Sequence, residues 1–510
     1  MKKVKRFLFN ASLMVFTTVF LRIISLSFGV WLSGKVGGEG LGLYSLTSSV
    51  YRLGITLSSA GIGFASTRII AEELERNNPR EAARAAERCL ITSLLFGSIV
   101  ALVFFVFAKP ISVTFLGDIR TASAIRMMAI SFPFIVMSGI INAYFTAVGR
   151  MSGTALPLLL DQFVRMTVTY VMLLGFDGKN LEYACLSLIV GGIFAEVISF
   201  ALSYFFYGKD RKKLLCGNHK KTKLAKRISS IAFPVAISSV IRTSLHSIEH
   251  MMIPSGLRKR GVNQSQALGL YGMITAMVFP VIMFPSAFLY AASDLLIPEF
   301  SACNASGDKR RLKRLTAKVM QLTSYFSVGV AGIIYGFSYE IGDVFYNSED
   351  CGYYIKILAP LVVFMLYDHL ADAILKGLGE QISVVKYNIV DSVSSVLLVW
   401  MLVPMYGING YVFVVWFGEV LNCLMSSVKL SRRTMTSVKF VTWFFVPLAS
   451  VTLSVAFTKQ ILLFLHGTVA TSVFSLVIAL AISSLLYLLL LRIFKCITLN
   501  DYKLLKKAFS

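Results

Sequence analysis

Long apolar stretches separated by short charged segments repeat along the whole chain of 510 residues. The stretches Cys89 to Ala108, Phe440 to Thr458 and Gly467 to Leu491 contain no Asp, Glu, Lys or Arg. Each is close to the roughly 20 residues that cross about 30 Å of hydrocarbon as a helix. The pattern therefore predicts an all-α polytopic membrane protein.

Fourteen segments have this character, and we predict each as a transmembrane helix. They cover approximately residues 7–33, 41–66, 88–108, 122–148, 153–175, 181–207, 228–254, 267–297, 315–338, 352–375, 382–404, 406–428, 439–458 and 467–492. The composition agrees, because only 15% of the residues are charged, against roughly 25% in an average soluble domain. The N-terminus, MKKVKRFLFN, begins like a signal peptide, but no small-residue cleavage site follows. It is therefore predicted to be retained as the first spanning helix.

Basic residues concentrate in alternate loops between the predicted helices. If both termini are cytoplasmic, the inside segments carry 34 Lys and Arg and the outside loops carry 9. This asymmetry predicts cytoplasmic termini and an even number of helices. The largest cluster, Lys209 to Arg227, could suggest nucleic acid. In a membrane chain we interpret it as a cytoplasmic loop that contacts anionic membrane lipids, and we predict no nucleic-acid partner.

Cysteine spacing argues against metal or disulfide chemistry. The seven cysteines form no CxxC pair, so neither a zinc site nor a disulfide framework is predicted. The segment HSIEH, His246 to His250, spells a pattern of certain zinc peptidases. It lies inside a predicted membrane helix without a recognisable third ligand, so we predict no metal site and no enzyme. Glu249 with the two histidines is instead a candidate titratable group.

The segment LGLY occurs twice, at Leu41 and at Leu268, and it marks an internal duplication. At this displacement of 227 residues, the stretch 41–72 matches 268–299 at 11 of 32 positions. Pro133 meets Pro360 in the same register, and Gly149 meets Gly379 after a slip of three residues. Upstream, FLRIISL meets VIRTSLH. The unit that is duplicated therefore contains six helices.

Because six is an even number, the two copies are predicted to enter the membrane in the same sense, as parallel repeats. Such pairs are common in secondary transporters, where lobes rock around a central cavity. We predict an N-lobe at residues 1–227, a C-lobe at 228–437, and two further helices with a cytoplasmic tail at 438–510.

Four arginines lie deep within the predicted helices. Arg22, Arg52, Arg165 and Arg242 are each 10 to 12 residues from the outer end of their helix, which at about 1.5 Å per residue puts them near the midplane. An arginine at that depth is expected to face a wet cavity or an acidic partner. Arg22 and Arg242 are equivalent in the two repeats, whereas the equivalent of Arg52 is Phe279.

These arginines have two interpretations. Asp161 lies four residues before Arg165, which is the favourable spacing for an ion pair within one helix. No acid lies three or four residues from the other three arginines, so we predict that they line a cavity and bind an anion. Guanidinium groups hold phosphate oxygens in bidentate fashion, which fits a phosphate or diphosphate head group. The intramembrane acids are alternative ion-pair or ion-coupling groups: Asp161, Glu196, Glu249, Asp294, Asp368, Asp372, Asp391 and Glu419.

Longer sequence patterns resemble a known family. FLRIISLSFGVWLSGKVGGEGLGLYSL followed by GIGFASTRIIAEEL, with LLLDQFVRMTV and FPSAFLYAASDLLIPEFS further on, resembles the stage V sporulation protein B branch of the polysaccharide-biosynthesis transporters. That branch is in the multidrug/oligosaccharidyl-lipid/polysaccharide exporter superfamily, which includes the MurJ-type lipid II flippases. The resemblance extends over nearly the whole chain.

The resemblance implies fourteen helices in two six-helix lobes plus a terminal pair. It also implies translocation of an undecaprenyl-diphosphate-linked peptidoglycan precursor across the bacterial cytoplasmic membrane. Arg22 matches the family's arginine in helix 1, and Asp161 with Arg165 match its acid-x-x-x-Arg pattern in helix 5. A second family arginine in helix 1 is Gly29 here. Cell-wall synthesis proteins are candidate partners.

Three functional classes remain open from the sequence. A flippase for lipid-linked oligosaccharides is the main prediction, and a coupling cation, Na⁺ or H⁺, is compatible with it. No GxxxxGK[ST] phosphate loop is present, which agrees with a secondary mechanism. A drug/cation antiporter of the same superfamily would favour an acidic cavity. A non-transporting scaffold in a sporulation or cell-wall complex would retain function when the cavity is mutated.

Overall fold

The computed structural model describes residues 2–496 except 60, 77, 151, 177–179, 215–223, 437–440, 467–471 and 495. Side chains of residues 2–15, 152, 212–214, 291–292, 294–295 and 465–466 are also outside the description. Much of the basic loop at 209–227 and most of the predicted tail therefore lie outside the described residues. Within them the chain is helical, with no strand.

The helices follow one another with short connections and three π-helical segments. In chain order they are α1 (Lys2–Ser59), α2 (Ile62–Glu75), α3 (Pro79–Val106), α4 (Ala108–Pro110), π1 (Ile111–Leu116), α5 (Thr121–Ala129), α6 (Phe132–Val148), α7 (Ser152–Leu173), α8 (Leu181–Leu214), α9 (Leu224–Lys259), α10 (Gln264–Gly272), π2 (Met273–Val278), α11 (Phe279–Met283), α12 (Ser286–Ala305), α13 (Lys309–Gly336), α14 (Ser338–Tyr346), α15 (Glu349–Leu358), α16 (Leu361–Gly377), α17 (Gln381–Tyr406), α18 (Ile408–Thr434), π3 (Val441–Phe445), α19 (Val446–His466) and α20 (Val473–Ile493).

The predicted membrane spans correspond to these helices. Among the described residues, eleven helices are long and apolar enough to cross a bilayer, and two bent pairs, α5 with α6 and α15 with α16, raise the number to 13. One of the eleven, α1, contains a non-helical residue at Gly37 that separates two of the predicted spans. All fourteen predicted spans are thereby accounted for, and the protein is a multi-pass membrane protein.

The duplication inferred from the sequence is visible in the backbone. The bent pairs stand at equivalent places in the two repeats, with bends of 47° and 46°. Pro133 lies in the first turn of α6, and its equivalent Pro360 precedes α16. Proline removes a backbone donor and disturbs the preceding helical turn, which accounts for a bend at this point.

The ends of equivalent helices also agree. The matched glycines Gly149 and Gly379 follow α6 and α16 with φ values of 70° and 81°. This left-handed conformation ends a helix at little steric cost only for glycine. Helices α3 and α13 are each 28 residues long. Two six-helix repeats and a further pair, α19 and α20, therefore make up the fold.

Local sequence signals explain several helix starts. The Asp308 side chain accepts a hydrogen bond from the backbone N–H of Arg311 at the start of α13, and Ser348 does the same for Cys351 at the start of α15. Ser472 and Ser475 form a reciprocal capping box at the start of α20. Each cap satisfies backbone donors that have no partner within the helix.

The described chain forms two compact units, and each has its own core. One consists of residues 1–28, 35–272 and 399–407, and the other of 29–34, 273–398 and 408–510. In the first, a buried cluster includes Ile69, Ile140 and Tyr144. In the second, Tyr325, Val451 and Tyr487 belong to a cluster that joins α13, α19 and α20. The lobe boundaries at 227 and 437 stay a prediction.

Candidate functional site

Arg165 is held by two carboxylates in the first unit. Its Nη2 lies 3.0 Å from an oxygen of Asp161, one turn earlier on α7, and 3.5 Å from Oε1 of Glu196 on α8. Gly192 makes room for the guanidinium, because a β-carbon there would lie 2.9 Å from Nη1. Of the two interpretations of Arg165, the structure contains the ion pair, and Glu196 extends it to a triad.

The space beside this triad is small. A cavity of about 20 Å³ is lined by Arg165, Tyr44, Tyr51 and Gly192, among others. That volume holds about one water molecule. The triad is therefore an internal polar cluster of the unit, too confined in this conformation to receive a diphosphate.

Arg52 and Arg242 lie beside one contact between α1 and α9. The hydroxyls of Thr56 and Thr243 are 3.3 Å apart, and the Ser247 hydroxyl donates to the Ser49 carbonyl oxygen at 2.9 Å. Both bonds fall within a turn or so of the two arginines along their helices. The polar contact therefore brings this part of α1 and this part of α9 together within the first unit.

Neither of these arginines is neutralised. Both side chains are exposed, and neither makes an ion pair with the residues that the structure describes. Arg22, on the part of α1 before Gly37, is likewise exposed and makes no such pair. An unpaired arginine in a membrane span requires water or a ligand. The four predicted arginines thus divide into Arg165, which is paired, and three that are available to an anion.

Glu249 belongs to a chain of hydrogen-bonding groups that includes both histidines of HSIEH. His246 Nδ1 lies 3.5 Å from Glu249, and His246 Nε2 lies 3.3 Å from His250 Nε2. His250 Nδ1 is 2.7 Å from the hydroxyl of Tyr271, the tyrosine of the second LGLY motif. In the described part of the chain, no group of three or more His, Cys, Asp or Glu is arranged to hold a metal ion. The motif is a polar chain between α9 and α10.

A second polar cluster lies in the other unit, on α16, α17 and α18. Asp368 accepts from the Asn422 amide at 3.0 Å, and Asp372 accepts from Ser426 at 3.0 Å and from Asn388 at 3.4 Å. Both acids are more than nine-tenths buried. The other oxygen of Asp368 and the amide oxygen of Asn422 have no hydrogen-bond partner among the described residues.

Sequence reasoning named these two acids but missed the amides beside them. The available signal was the presence of Asn388 and Asn422 in predicted membrane helices. Buried amides normally require partners, so they could have been matched to the acids. Asp294, another predicted ion-coupling residue, has a side chain outside the described residues.

A third polar cluster lies next to the break in α1 at Gly37. Asp118 accepts from the Arg120 guanidinium at 2.7 Å and from Gln264 at 2.7 Å, while Arg120 also contacts Glu39 at 3.2 Å. Ser265 also donates to Glu39. Burial opposes ionisation of Asp118, but the hydrogen bonds from Arg120 and Gln264 prevail and lower the pKa of this carboxyl. Polar contacts thus connect α1, the segment before α5, and α10.

Two family models match the chain. The model described as polysaccharide biosynthesis protein matches residues 7–304, and the model MatE matches residues 261–401. Together they cover most of both repeats.

Individual relatives are similar to this chain in sequence, and a solved structure is similar to it in fold. Stage V sporulation protein B of Bacillus subtilis (strain 168) is 24% identical over 418 residues, covering 79% of each chain. The lipid III flippase of Escherichia coli (strain K12) is 27% identical over 214 residues, covering 41% of this chain and 50% of its own. The solved lipid II flippase MurJ, in an inward closed conformation, superposes with a TM-score of 0.67 at 14% identity, covering 94% of this chain and 98% of that one.

Proposed function

Because the chain belongs to the polysaccharide biosynthesis protein family, within the multidrug/oligosaccharidyl-lipid/polysaccharide exporter superfamily, we propose that it is a flippase. Its substrate is an undecaprenyl-diphosphate-linked peptidoglycan precursor similar to lipid II, or a related lipid-linked oligosaccharide. It moves this lipid from the inner to the outer leaflet of the bacterial cytoplasmic membrane. Both termini are cytoplasmic, in agreement with the distribution of basic residues.

The observation that carries this proposal is the exposed and unpaired state of Arg52 and Arg242 beside one polar contact. A substrate diphosphate is an anionic partner that neutralises the positive charge of these two side chains. Two guanidinium groups can each donate two hydrogen bonds to phosphate oxygens and remain charged at any physiological pH. Arg22 adds a third positive charge on α1. The polyprenyl tail stays in the lipid while the head group crosses.

The membrane potential can drive this movement. With the inside negative, outward transfer of each net negative charge gains about 2.3 kcal/mol per 100 mV. ATP is therefore not required. The buried Asp368–Asn422 pair supports a role for a coupling cation, Na⁺ or H⁺, because each residue has an oxygen without a partner among the described residues.

The experiment is a flipping assay with fluorescent lipid II in proteoliposomes. Arg52→Ala and Arg242→Ala should each lower the rate about tenfold or more, because a hydrogen bond to a charged group is worth about 1.5–3 kcal/mol. Arg52→Lys keeps the charge but not the bidentate geometry, so its rate should be intermediate. Arg126→Ala removes another exposed arginine, on α5, and should keep the parent rate. Parent rates in both alanine variants would sink the proposal.

A drug/cation antiporter is the second candidate, favoured by the MatE match to residues 261–401 and by the buried acids Asp368 and Asp372 within it. Efflux of cationic dyes from cells that overexpress the protein distinguishes the two. Dye efflux that depends on Asp368, together with no flipping of lipid II, would favour the antiporter.

A further inference from the structure

A cavity of about 450 Å³ opens in the second unit, and its described lining includes none of the arginines of the proposed substrate site. It lies between α13, the π3–α19 segment and the residues that follow α20. Its lining consists of Arg314, Ala317, Lys318, Gln321, Tyr325, Thr442, Trp443, Val446, Phe494 and Cys496. The volume is within the range of roughly 300–1,000 Å³ typical of small-molecule sites.

One side of this cavity is cationic. Arg314 and Lys318 are one turn apart on α13, and among the described residues the lining contains no aspartate or glutamate. Lys318 Nζ donates to Gln321 Oε1 at 3.0 Å, and the Gln321 amide donates to the Tyr325 hydroxyl at 2.6 Å. The two charges, the amide and the hydroxyl form a row of hydrogen-bonding groups along α13. Such a row suits a phosphate with polar groups attached.

The residues that line the cavity from the π3–α19 segment and from the end of α20 are mostly apolar. Trp443 is buried, and Val446 and Phe494 lie beside it in the lining. Behind them, the Tyr487 hydroxyl donates to the Tyr325 carbonyl oxygen at 2.6 Å and joins α20 to α13. Gly329 permits this approach, because a β-carbon there would meet the Tyr487 ring. A ligand that fits both sides carries an anionic group next to an apolar body.

The position along the helices indicates a membrane interface. The cavity involves the beginning of α13, the beginning of α19 and the end of α20, and these three ends lie at one face of the second unit. The residues at the start of α13, KRRLKR, are strongly basic. In the proposed orientation this face is cytoplasmic. Tryptophan and tyrosine are also enriched where membrane proteins meet lipid head groups.

We propose that this cavity binds the head group of an anionic glycerophospholipid from the inner leaflet. The phosphodiester lies against Arg314 and Lys318, the polar head group contacts Gln321 and Tyr325, and the glycerol and first acyl carbons lie against Trp443 and Phe494. Basic pockets between membrane helices on the cytoplasmic side bind anionic lipids in this way. The assignment of the leaflet rests on the orientation given under the proposed function, whereas the binding itself does not rest on flipping.

The test is native mass spectrometry of the full chain in a neutral detergent, with phosphatidylglycerol or phosphatidylcholine added. The parent should retain one phosphatidylglycerol and no phosphatidylcholine. The variant with Arg314→Ala and Lys318→Ala should bind at least tenfold less. The matched control, Arg310→Ala with Lys313→Ala, removes two exposed charges from the same helix and should bind as the parent does. Lys318→Gln, a milder change, should also weaken binding if the double variant fails to fold.

Three outcomes would overturn the proposal. Equal retention of phosphatidylglycerol by the cavity variant and its control would show that the bound lipid lies elsewhere. Displacement by 10-fold excess inorganic phosphate would make the site one for free phosphate, and displacement by equimolar lipid II would make it part of the substrate path. Because this readout measures binding without transport, failure of the flippase proposal would leave it intact.

Discussion

The carbonyl oxygen of Leu268 occupies the space that a side chain on Gly42 would need. These residues belong to the two copies of the LGLY motif, so each copy packs against the other within the first unit. Gly272 contributes to the same crossing, since a β-carbon on it would meet the Gly38 carbonyl oxygen. Small residues allow helix backbones to approach this closely in a membrane. The repeated motif is therefore a helix-packing device as well as a marker of the duplication.

We expect Gly42→Ala to separate α1 from α10. The new methyl group would overlap backbone, which cannot move as a flexible side chain can, so the free energy of unfolding should fall by about 1–3 kcal/mol. Thermal unfolding monitored by tryptophan fluorescence measures this. Gly139→Ala is the control, because a β-carbon at Gly139 meets nothing within 4 Å. Equal melting temperatures in the two variants would contradict the packing described.

Substitution of the paired Arg165 should lower stability, whereas substitution of the exposed Arg52 should lower transport. Arg165→Leu leaves Asp161 and Glu196 facing each other without a cation, so the free energy of unfolding should fall by about 3 kcal/mol. Arg52→Leu removes no ion pair and should change stability by less than about 0.5 kcal/mol, while lowering lipid II flipping. Melting temperature and flipping rate are measured on both variants. An Arg165→Leu protein with normal stability and no flipping would instead make Arg165 a substrate ligand.

What the sequence could predict depends on the distance between interacting residues along the chain. The Asp161–Arg165 pair is four residues apart on one helix, so the helical repeat alone predicts it. Glu196 lies 31 residues after Arg165, and its approach depends on how α7 packs against α8. Helical periodicity carries no information on that packing. The sequence therefore names Glu196 only as one of eight candidate acids, and the structure assigns it to Arg165.

The duplication was predictable because it leaves identical residues in one register. Pro133 and Pro360 mark bends of nearly equal size, and Gly149 and Gly379 mark equivalent helix ends. The breaks in the second copy near π2 were not predicted. There, the span expected at 267–297 is divided among α10, π2, α11 and α12. Pro285 precedes α12 and ends the regular helix. Hydropathy does not detect this break, because the residues on both sides of it are mostly apolar.

Acid should weaken the cluster that contains Asp118. Since hydrogen bonds from Arg120 and Gln264 lower the pKa of Asp118 in the folded protein, the unfolded chain takes up this proton at a higher pH than the folded protein. The stabilisation is complete above the ordinary aspartate pKa of about 3.9 and is lost as the pH falls through the lower, folded value. The melting temperatures of the parent and of Asp118→Asn should therefore differ at pH 7 and begin to converge as the pH falls below about 4. A constant difference across this range would exclude ionised Asp118 as the cause.

The buried pair of Asp368 and Asn422 should behave as a coupled unit. Asn422→Leu deprives a carboxylate of its amide donor, and Asp368→Leu deprives the amide of its acceptor. Each single change should lower the free energy of unfolding by about 1–3 kcal/mol, because one buried polar partner is left unsatisfied. The double variant removes both groups and should be less destabilised than the sum of the single variants, with a coupling energy of at least about 1 kcal/mol. The measurement is the melting curve of the parent, of each single variant and of the double variant. Asn409→Leu serves as the control, because the hydrogen bond between Asn409 and Tyr354 is long, at 3.5 Å. Additive losses would mean that the 3.0 Å contact contributes nothing to stability, and the two groups would then act independently.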